Sequence, residues 1–394
     1  MPPQALRAGG QGALWEQPGR RSAGVAGGVT LYPAAVKRAV NLIASLLVTV
    51  AFMWWAFRDT DVSTQIASLK AANYAWVVPY FLCLACIHVF RTLRWGALLS
   101  GLERVPFRKL NEASGIGFMM LLVLPFRLGE FARPFLIAQR SNIRRSAAMT
   151  SVVLERIVDG LFVAALFRVL LFFVPVETEG VRYVKLGSWL MFAVFGGGLV
   201  FLLVGLWHQE RTVRLVRATV GRFSPNIAEK VADIVDTFVG AMRQLPDGKH
   251  IALFFLYTVL YWGLNGVGMA LLAHAFDCSG AAPGVACEPM GLSLFQSYIV
   301  MCVLVVGIMI PAAPGMMGTF QAATKVGLGL FLPAAVVNAH GLAYANVLWL
   351  CQTAQQIIFG LILLSVSHMS FRELAGNMKK DGGDPNNVSR SSVA

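Results

Sequence analysis

The sequence predicts an all-α polytopic membrane protein, and three observations lead to this fold class. Hydrophobic residues make up 57% of the 394 residues and charged residues only 13%, whereas soluble domains carry about 25% charged residues. Several apolar runs reach the roughly 20 residues that a helix needs to cross a bilayer. The alternating segments typical of a membrane barrel are absent. The net charge of +13 then indicates basic cytoplasmic loops and affinity for anionic lipids rather than for nucleic acid.

Six uninterrupted apolar runs predict full spans within a transmembrane domain at residues 36–370. They cover residues 39–57, 77–99, 152–174, 188–207, 251–276 and 342–366. Two further runs, at about 110–139 and 293–332, are interrupted by proline and glycine. Residues 226–245 have apolar positions at helical spacing, which predicts an amphipathic helix on the cytoplasmic surface. The terminal segments 1–35 and 371–394 are predicted to be disordered cytoplasmic tails.

The distribution of basic residues predicts the topology. Lys and Arg are concentrated in the tails and in loops 100–109, 140–145 and 208–250, whereas 277–292 and 333–341 contain none. Because cytoplasmic loops are rich in Lys and Arg, both flanks of the first interrupted run are predicted to be cytoplasmic and both flanks of the second external. Each run is then a re-entrant hairpin, in opposite orientations, as in inverted-repeat transporters. For 293–332, two full spans remain the alternative.

The first interrupted run carries charges at predicted membrane depth. Its stretch LPFRLGEFARPFL (124–136) places Arg127, Glu130 and Arg133 three residues apart, so a helix puts them near one face. Each charge costs at least about 2.5 kcal/mol at such depth on insertion scales. Two positive charges and one negative charge at a helix N-terminus suit a lipid phosphate. The alternatives are a structural ion pair that closes the hairpin and shallow residues that reach the interface.

Other polar residues within the apolar runs complete the candidate lipid-binding set. The carboxylates of SVVLERIVDG are four residues apart and are expected to pair with the hairpin arginines or to serve as structural counter-charges. The arginines of HVFRTLRW are candidates that alternatively snorkel to the interface. A polar face on the last span favours a lined cavity or interhelical hydrogen bonds. Besides the three hairpin charges, the set contains Glu155, Arg156, Asp159, Arg91, Arg94, Arg168, Gly315, Gly318, Gln321 and Lys325. The polar face of the last span consists of Asn346, Gln352, Gln355 and Gln356.

The cysteines and the missing motifs limit the remaining chemistry. Cys278 and Cys287 flank a short polar loop, and the sequence leaves a disulfide between them open, on condition that the loop faces an oxidising compartment. No nucleotide-binding, hydrolase or metal-ligand motif is present. We therefore expect no cofactor, no metal and no enzymatic activity.

Four motifs resemble a known family. RTLRW (91–95), RLGEFAR (127–133), LERIVD (154–159) and PAAPGMMGTF (311–320) resemble the transmembrane, flippase-like region of the lysylphosphatidylglycerol synthase family, over nearly all of residues 36–370. The resemblance implies a lipid translocase. This chain departs from the family pattern at three positions. The family usually has an acidic residue where this chain has Gln321, and glycines where it has Met316 and Met317. Because a glutamine side chain does not titrate, the resemblance implies no proton or cation role for position 321.

The sequence stops soon after the last apolar run, so we expect a stand-alone member without the synthase domain. Such a member is expected to move a phospholipid or a polyprenyl- or hopanoid-type lipid across a bacterial-type inner membrane, with both termini cytoplasmic. Two other functions remain open, an integral lipid-linked transferase and a non-catalytic scaffold of an envelope lipid assembly.

Overall fold

The computed structural model describes residues 47–58, 61–124, 129–174, 179–208, 247–278, 288–310 and 314–367, with isolated positions at 210, 214, 217–219, 222 and 229. These residues form helices and connections without a strand, which confirms the all-α fold class. The helices are α1 (Leu47–Phe57), α2 (Val62–Ala71), α3 (Val77–Leu99), α4 (Phe107–Val123), α5 (Ala132–Arg140), α6 (Arg145–Phe172), α7 (Glu179–Trp207), α8 (Gly248–Ala273), α9 (Leu294–Gly307), α10 (Thr319–Leu328) and α11 (Leu342–Val366).

Three segments of the described chain are long and apolar enough to cross a membrane, namely Tyr74–Leu99, Gly248–Phe276 and Ala334–Val366. Shorter apolar helices cover Leu47–Phe57, Val184–Val200 and Leu294–Gly307. The protein is therefore a multi-pass membrane protein, while the count of six full spans stays a prediction. The predicted tails, and all of the amphipathic helix 226–245 except residue 229, lie outside the described residues.

The largest apolar core lies where α3, α6, α8, α9 and α11 meet. Helices α3 and α8 pack along each other, and α11 contacts both α3 and α4. The buried Tyr344 hydroxyl of α11 donates to the Met269 carbonyl of α8 at 2.8 Å. Such interhelical hydrogen bonds and close packing hold membrane helices together, because lipid supplies little hydrophobic drive for their association.

The first interrupted run folds as a helical hairpin whose ends meet. Helices α4 and α5 pack against each other, and the backbone N–H of Asn142 donates to a Glu103 carboxylate oxygen at 2.7 Å. At the same end, Lys109 Nζ donates to the Arg140 carbonyl at 2.8 Å, and the Arg140 guanidinium pairs with Glu112. The break at 125–128, which includes Arg127, lies outside the described residues. The chain thus leaves and returns to one end, and its depth in the bilayer stays a prediction.

The second interrupted run also forms two antiparallel helices. Gly307 of α9 lies against Ala323 of α10, and Gly327 of α10 lies against Val300 of α9. Helix α9 has 14 residues and α10 has 10, both short of the roughly 20 that a helical span requires. These lengths favour a hairpin over two full helical spans. Residues 311–313 of its break are outside the described part of the chain.

Positive backbone angles shape the turn of this second hairpin. Gly315 has φ 73° and Gly318 has φ 88°, a region that residues with a Cβ rarely adopt. A Cβ at Gly318 would also lie within 2.8 Å of the Thr49 carbonyl oxygen of α1. The turn and α1 are therefore in direct backbone contact.

One of the two cysteines that flank the polar loop forms a disulfide. Cys278 is disulfide-bonded, whereas its candidate partner Cys287 lies outside the described residues. Cys83, Cys86, Cys302 and Cys351 are free thiols.

Single cysteines at the two ends of the first hairpin test its orientation. Arg104→Cys and Arg144→Cys, both at exposed positions, should both react with a membrane-impermeant maleimide in inside-out vesicles and resist it in right-side-out vesicles. The reason is that both ends of a cytoplasmic re-entrant hairpin lie on the cytoplasmic side. Protein without an added cysteine measures the background, and reaction of the two positions from opposite sides would contradict the hairpin.

Candidate functional site

A buried ion cluster joins α3, α5 and α6. Arg94 of α3 has no exposed surface, and its guanidinium pairs with both Glu155 and Asp159 of α6. Arg133 of α5 donates from Nη1 to the second Glu155 oxygen at 3.0 Å. The expected pairing of the α6 carboxylates with a hairpin arginine is therefore present at Arg133. The alternative that Arg94 snorkels to the interface is wrong, because two carboxylates hold its head group inside the bundle.

Asp159 accepts further hydrogen bonds within this cluster. Arg156 Nη2 lies 3.1 Å from one Asp159 oxygen and 3.9 Å from a Glu155 oxygen. The indole Nε1 of Trp262 donates to Asp159 Oδ1 at 3.2 Å. A buried carboxylate needs such partners to offset its loss of hydration. Both α6 carboxylates are thus occupied by basic groups of the protein itself.

The local sequence explains how these side chains reach one another. Glu155 and Asp159 are four residues apart and project from one face of α6. Arg133 crosses α4 at Gly117, where a Cβ would overlap its aliphatic stem. Its guanidinium then lies 4.4 Å from the centre of the Trp95 ring and 4.7 Å from that of Phe118, and these ring faces attract a cation.

Arg91 differs from the other arginines of the site. Its guanidinium lies 3.7 Å from the ring centre of Phe118 and 5.5 Å from that of Tyr261. No salt bridge joins it to a carboxylate of the described residues, and its Nε is buried without a hydrogen-bond acceptor. Arg91 is therefore a cation held by aromatic rings, with donors left for an external anion.

The charges of the described cluster leave a positive excess. Four of its members are basic and three are acidic: Arg91, Arg94, Arg133 and Arg156 against Glu130, Glu155 and Asp159. In a medium of low dielectric constant, an excess cation attracts an anion strongly. The cluster is thus suited to a phosphate.

A cavity of about 380 Å³ adjoins this cluster between the two hairpins. Its charged end contains Arg91, Glu130, Arg156 and Asp159. Its other polar groups are four amides, two hydroxyls and two indole N–H groups, from Asn265, Gln352, Gln355, Gln356, Tyr261, Thr353, Trp262 and Trp349. Both hairpins contribute to the wall, with Leu121 and Leu122 from the first and Gly315, Met316 and Phe320 from the second. The cavity combines charged side chains, uncharged hydrogen-bonding groups and apolar walls.

Eight of the predicted site residues fall into two groups, one that lines the cavity and one that lies beside it. Arg91, Glu130, Arg156, Asp159 and Gly315 line the cavity. Arg94, Arg133 and Glu155 form the ion cluster that underlies its charged end. The lead candidate Arg127 lies outside the described residues.

The structure does not bring the remaining candidates to the cavity. Arg168 lies 4.3 Å from the ring centre of Trp189 on α7. Lys325 Nζ donates to the Ala56 carbonyl at 3.1 Å and lines a separate pocket of about 270 Å³. Gln321 accepts from the Gly318 N–H at 2.8 Å and donates to Asn346 at 3.2 Å. Gln321 and Gly318 therefore build the second hairpin turn.

Sequence reasoning missed the residues of α8 and the aromatic rings around Arg91. Asn265 is the single amide side chain in the apolar run 251–276, and this feature could have identified it as a candidate site residue. Tyr261 and Phe118 carry no such signal, because aromatic residues in apolar helices most often only pack. No group of three or more His, Cys, Asp or Glu side chains suited to a metal occurs among the described residues.

Two arginines one turn apart on α3 should respond differently to replacement. Arg94→Leu leaves Glu155 and Asp159 short of a buried partner, which costs about 3–5 kcal/mol, so the unfolding temperature in detergent should fall markedly. Arg91→Leu removes a cation that pairs with no carboxylate in the described part of the chain, and it should leave the unfolding temperature near that of the wild type. Equal losses in both variants would show that Arg91 is also part of the structural network.

Comparison with known proteins identifies the family. Residues 42–360 match the family model described as the lysylphosphatidylglycerol synthase TM region. A protein of Haloferax volcanii named glycosyltransferase AglD is similar, at 25% identity over 363 residues. The similarity covers 84% of this chain and 55% of that relative, so the chain spans about half of the relative's length. The match over most of its length confirms the resemblance of the four motifs, and the chain belongs to the family of the lysylphosphatidylglycerol synthase transmembrane region.

Proposed function

We propose that this protein translocates a phosphate-bearing lipid between the two leaflets of a bacterial-type inner membrane. The observation that supports this most directly is Arg91, which lines a cavity between two helical hairpins and has no carboxylate partner among the described residues. A phosphate is the anion that a membrane presents in quantity, and arginine binds it through several donors at once.

The proposed route moves only the head group through protein. The phosphate binds at Arg91, and Arg156, whose side chain is 33% exposed, reaches the same cavity. Glu155 keeps its ion pairs with Arg94 and Arg133, and these pairs hold the charged end of the cavity in position. Acyl or isoprenoid chains remain in the bilayer, where they lose no hydrophobic burial. The two hairpins then open the cavity alternately toward one side of the membrane and toward the other, as inverted halves do in other transporters.

The proposal includes no covalent chemistry and places both termini in the cytoplasm. A lipid-linked glycosyl transfer is the second candidate, and the name of the Haloferax volcanii relative favours it. That candidate needs a general base and usually a metal. Activity that disappears with a chelator and returns with a divalent cation would support transfer over translocation.

A reconstituted assay tests translocation. Purified full-length protein is placed in liposomes with tail-labelled fluorescent phosphatidylglycerol, and dithionite then quenches the label in the outer leaflet. We expect quenching to exceed the outer-leaflet half of the label with wild-type protein. Arg91→Leu should reduce the rate at least about tenfold, because one charge-assisted contact to phosphate contributes about 1.5–3 kcal/mol.

The matched control is an arginine of the bundle outside the cavity. Arg168→Leu should keep the wild-type rate, since Arg168 lies against Trp189 rather than at the charged end. Wild-type rates in Arg91→Leu at equal protein content would remove Arg91 from the mechanism. No quenching beyond half with wild-type protein would refute translocation of this lipid.

A further inference from the structure

We propose that the protein binds a single monatomic anion, such as chloride, in a small cavity lined by residues of α3, α4, α6 and the start of α5, which we call the anion cavity. It adjoins the larger cavity between the hairpins, and its ligand is an inorganic ion rather than a lipid. The inference goes beyond the proposed function and does not rest on it, because the observations that carry it concern the buried arginines alone.

The anion cavity is small and highly charged. Its volume is about 10 Å³, close to the roughly 10–15 Å³ that one water-sized particle requires. A phosphate group is too large for this space. Half of the eight residues that line it are charged, namely Arg91, Glu130, Arg133 and Arg156. The space therefore suits a single atom that is surrounded mainly by arginines.

The three arginines that line the anion cavity keep donors without an acceptor. Arg133 is 3% exposed. Its Nη1 donates to Glu155, whereas its Nε and Nη2 are buried without a hydrogen-bond partner. The Nε atoms of Arg91 and Arg156 are buried without a partner as well. Each buried donor in this condition costs about 1–3 kcal/mol, so an acceptor that reaches several of them at once gains affinity from each.

Two of these guanidinium groups are neighbours around one aromatic ring. The guanidinium carbon of Arg91 lies 3.7 Å from the ring centre of Phe118, and that of Arg133 lies 4.7 Å from the same centre. Phe118 itself lines the anion cavity. Like charges this close repel each other in a medium of low dielectric constant. An anion beside the ring attracts both groups and thereby offsets their repulsion.

The charge balance favours an anion over a water molecule in this space. Three arginines and one glutamate line the anion cavity. The carboxylate that pairs with Arg133 is Glu155, which Arg94 shares, so it does not fully compensate Arg133. A water molecule adds no charge and must place its own hydrogens. A halide only accepts hydrogen bonds, and its negative charge compensates buried cations.

The unfolding temperature of the purified protein tests for the anion. Full-length protein in detergent is titrated with sodium chloride or sodium bromide against sodium gluconate at constant ionic strength. We expect the unfolding temperature to rise by about 2 °C or more with either halide and then to saturate, because a ligand that binds only the folded state stabilises it. Sodium phosphate in place of the halide should give no such rise, because phosphate does not fit.

Arg133→Lys is the variant that separates binding from structure. The lysine keeps a cation for Glu155 but lacks the other guanidinium donors, so the halide concentration at half-saturation should increase at least about tenfold, as the loss of one charge-assisted hydrogen bond provides. If Arg133→Lys does not fold, Arg91→Leu replaces it, since it removes a cation of the same cavity. Arg168→Lys, at an arginine that lies against Trp189, is the matched control and should keep the wild-type response.

Crystals grown in bromide locate the ion. We expect an anomalous scattering peak among Arg91, Arg133 and Arg156. No peak there, which would mean a water molecule only, would overturn the inference. An unfolding temperature that does not respond to halide, an equal rise with phosphate, or an unchanged response in the arginine variant would overturn it too.

The anion and the proposed lipid translocation can fail separately. Halide binding is measured in detergent without added lipid, and scrambling is measured in liposomes prepared in gluconate. Halide binding without scrambling upholds the anion cavity and refutes translocation of the labelled lipid. Scrambling by a protein that shows no halide response refutes the anion cavity and leaves translocation standing.

Discussion

The ion pairs of Arg94 with Glu155 and Asp159 are the constraint on which the site depends. A fully buried guanidinium is stable only when carboxylates surround it, so α3 and α6 are held at the separation that these pairs require. Arg133 attaches the first hairpin to the same Glu155. One carboxylate thus positions three helices, and the cavity lies beside them.

This network divides the arginines by role. Arg94 donates from both terminal nitrogens to carboxylates of α6, and Arg133 donates from Nη1 to Glu155. Arg91 is instead held by the faces of Phe118 and Tyr261. Aromatic rings stabilise a cation without neutralising it. A charge kept in this way can still attract an anion, which a carboxylate partner would prevent. The proposed phosphate site therefore depends both on the ring contacts of Arg91 and on the absence of a carboxylate partner among the described residues.

The sequence predicted the helical class, the positions of α3 and α11 and the interruption of two runs, because apolar length and helix breakers are local properties. It also predicted the carboxylates at 155 and 159 as counter-charges. It did not distinguish Arg91 from Arg94, three residues away, because that depends on which helices pack against each face of α3. Arg168 and Lys325 were grouped with the site for the same reason, since charge in an apolar run indicates importance but not location. Residue 127 and the amphipathic segment 226–245 remain predictions.

Gln321 has a consequence for the response of the second hairpin to acidity. Its amide accepts from the Gly318 N–H and donates to Asn346, so it joins the turn to α11 through a group that does not titrate. A carboxylate at this position would accept equally well from the backbone but would lose the donor to Asn346 whenever it is ionised. The two hydrogen bonds by which Gln321 joins this turn to α11 therefore do not depend on the protonation state of that side chain.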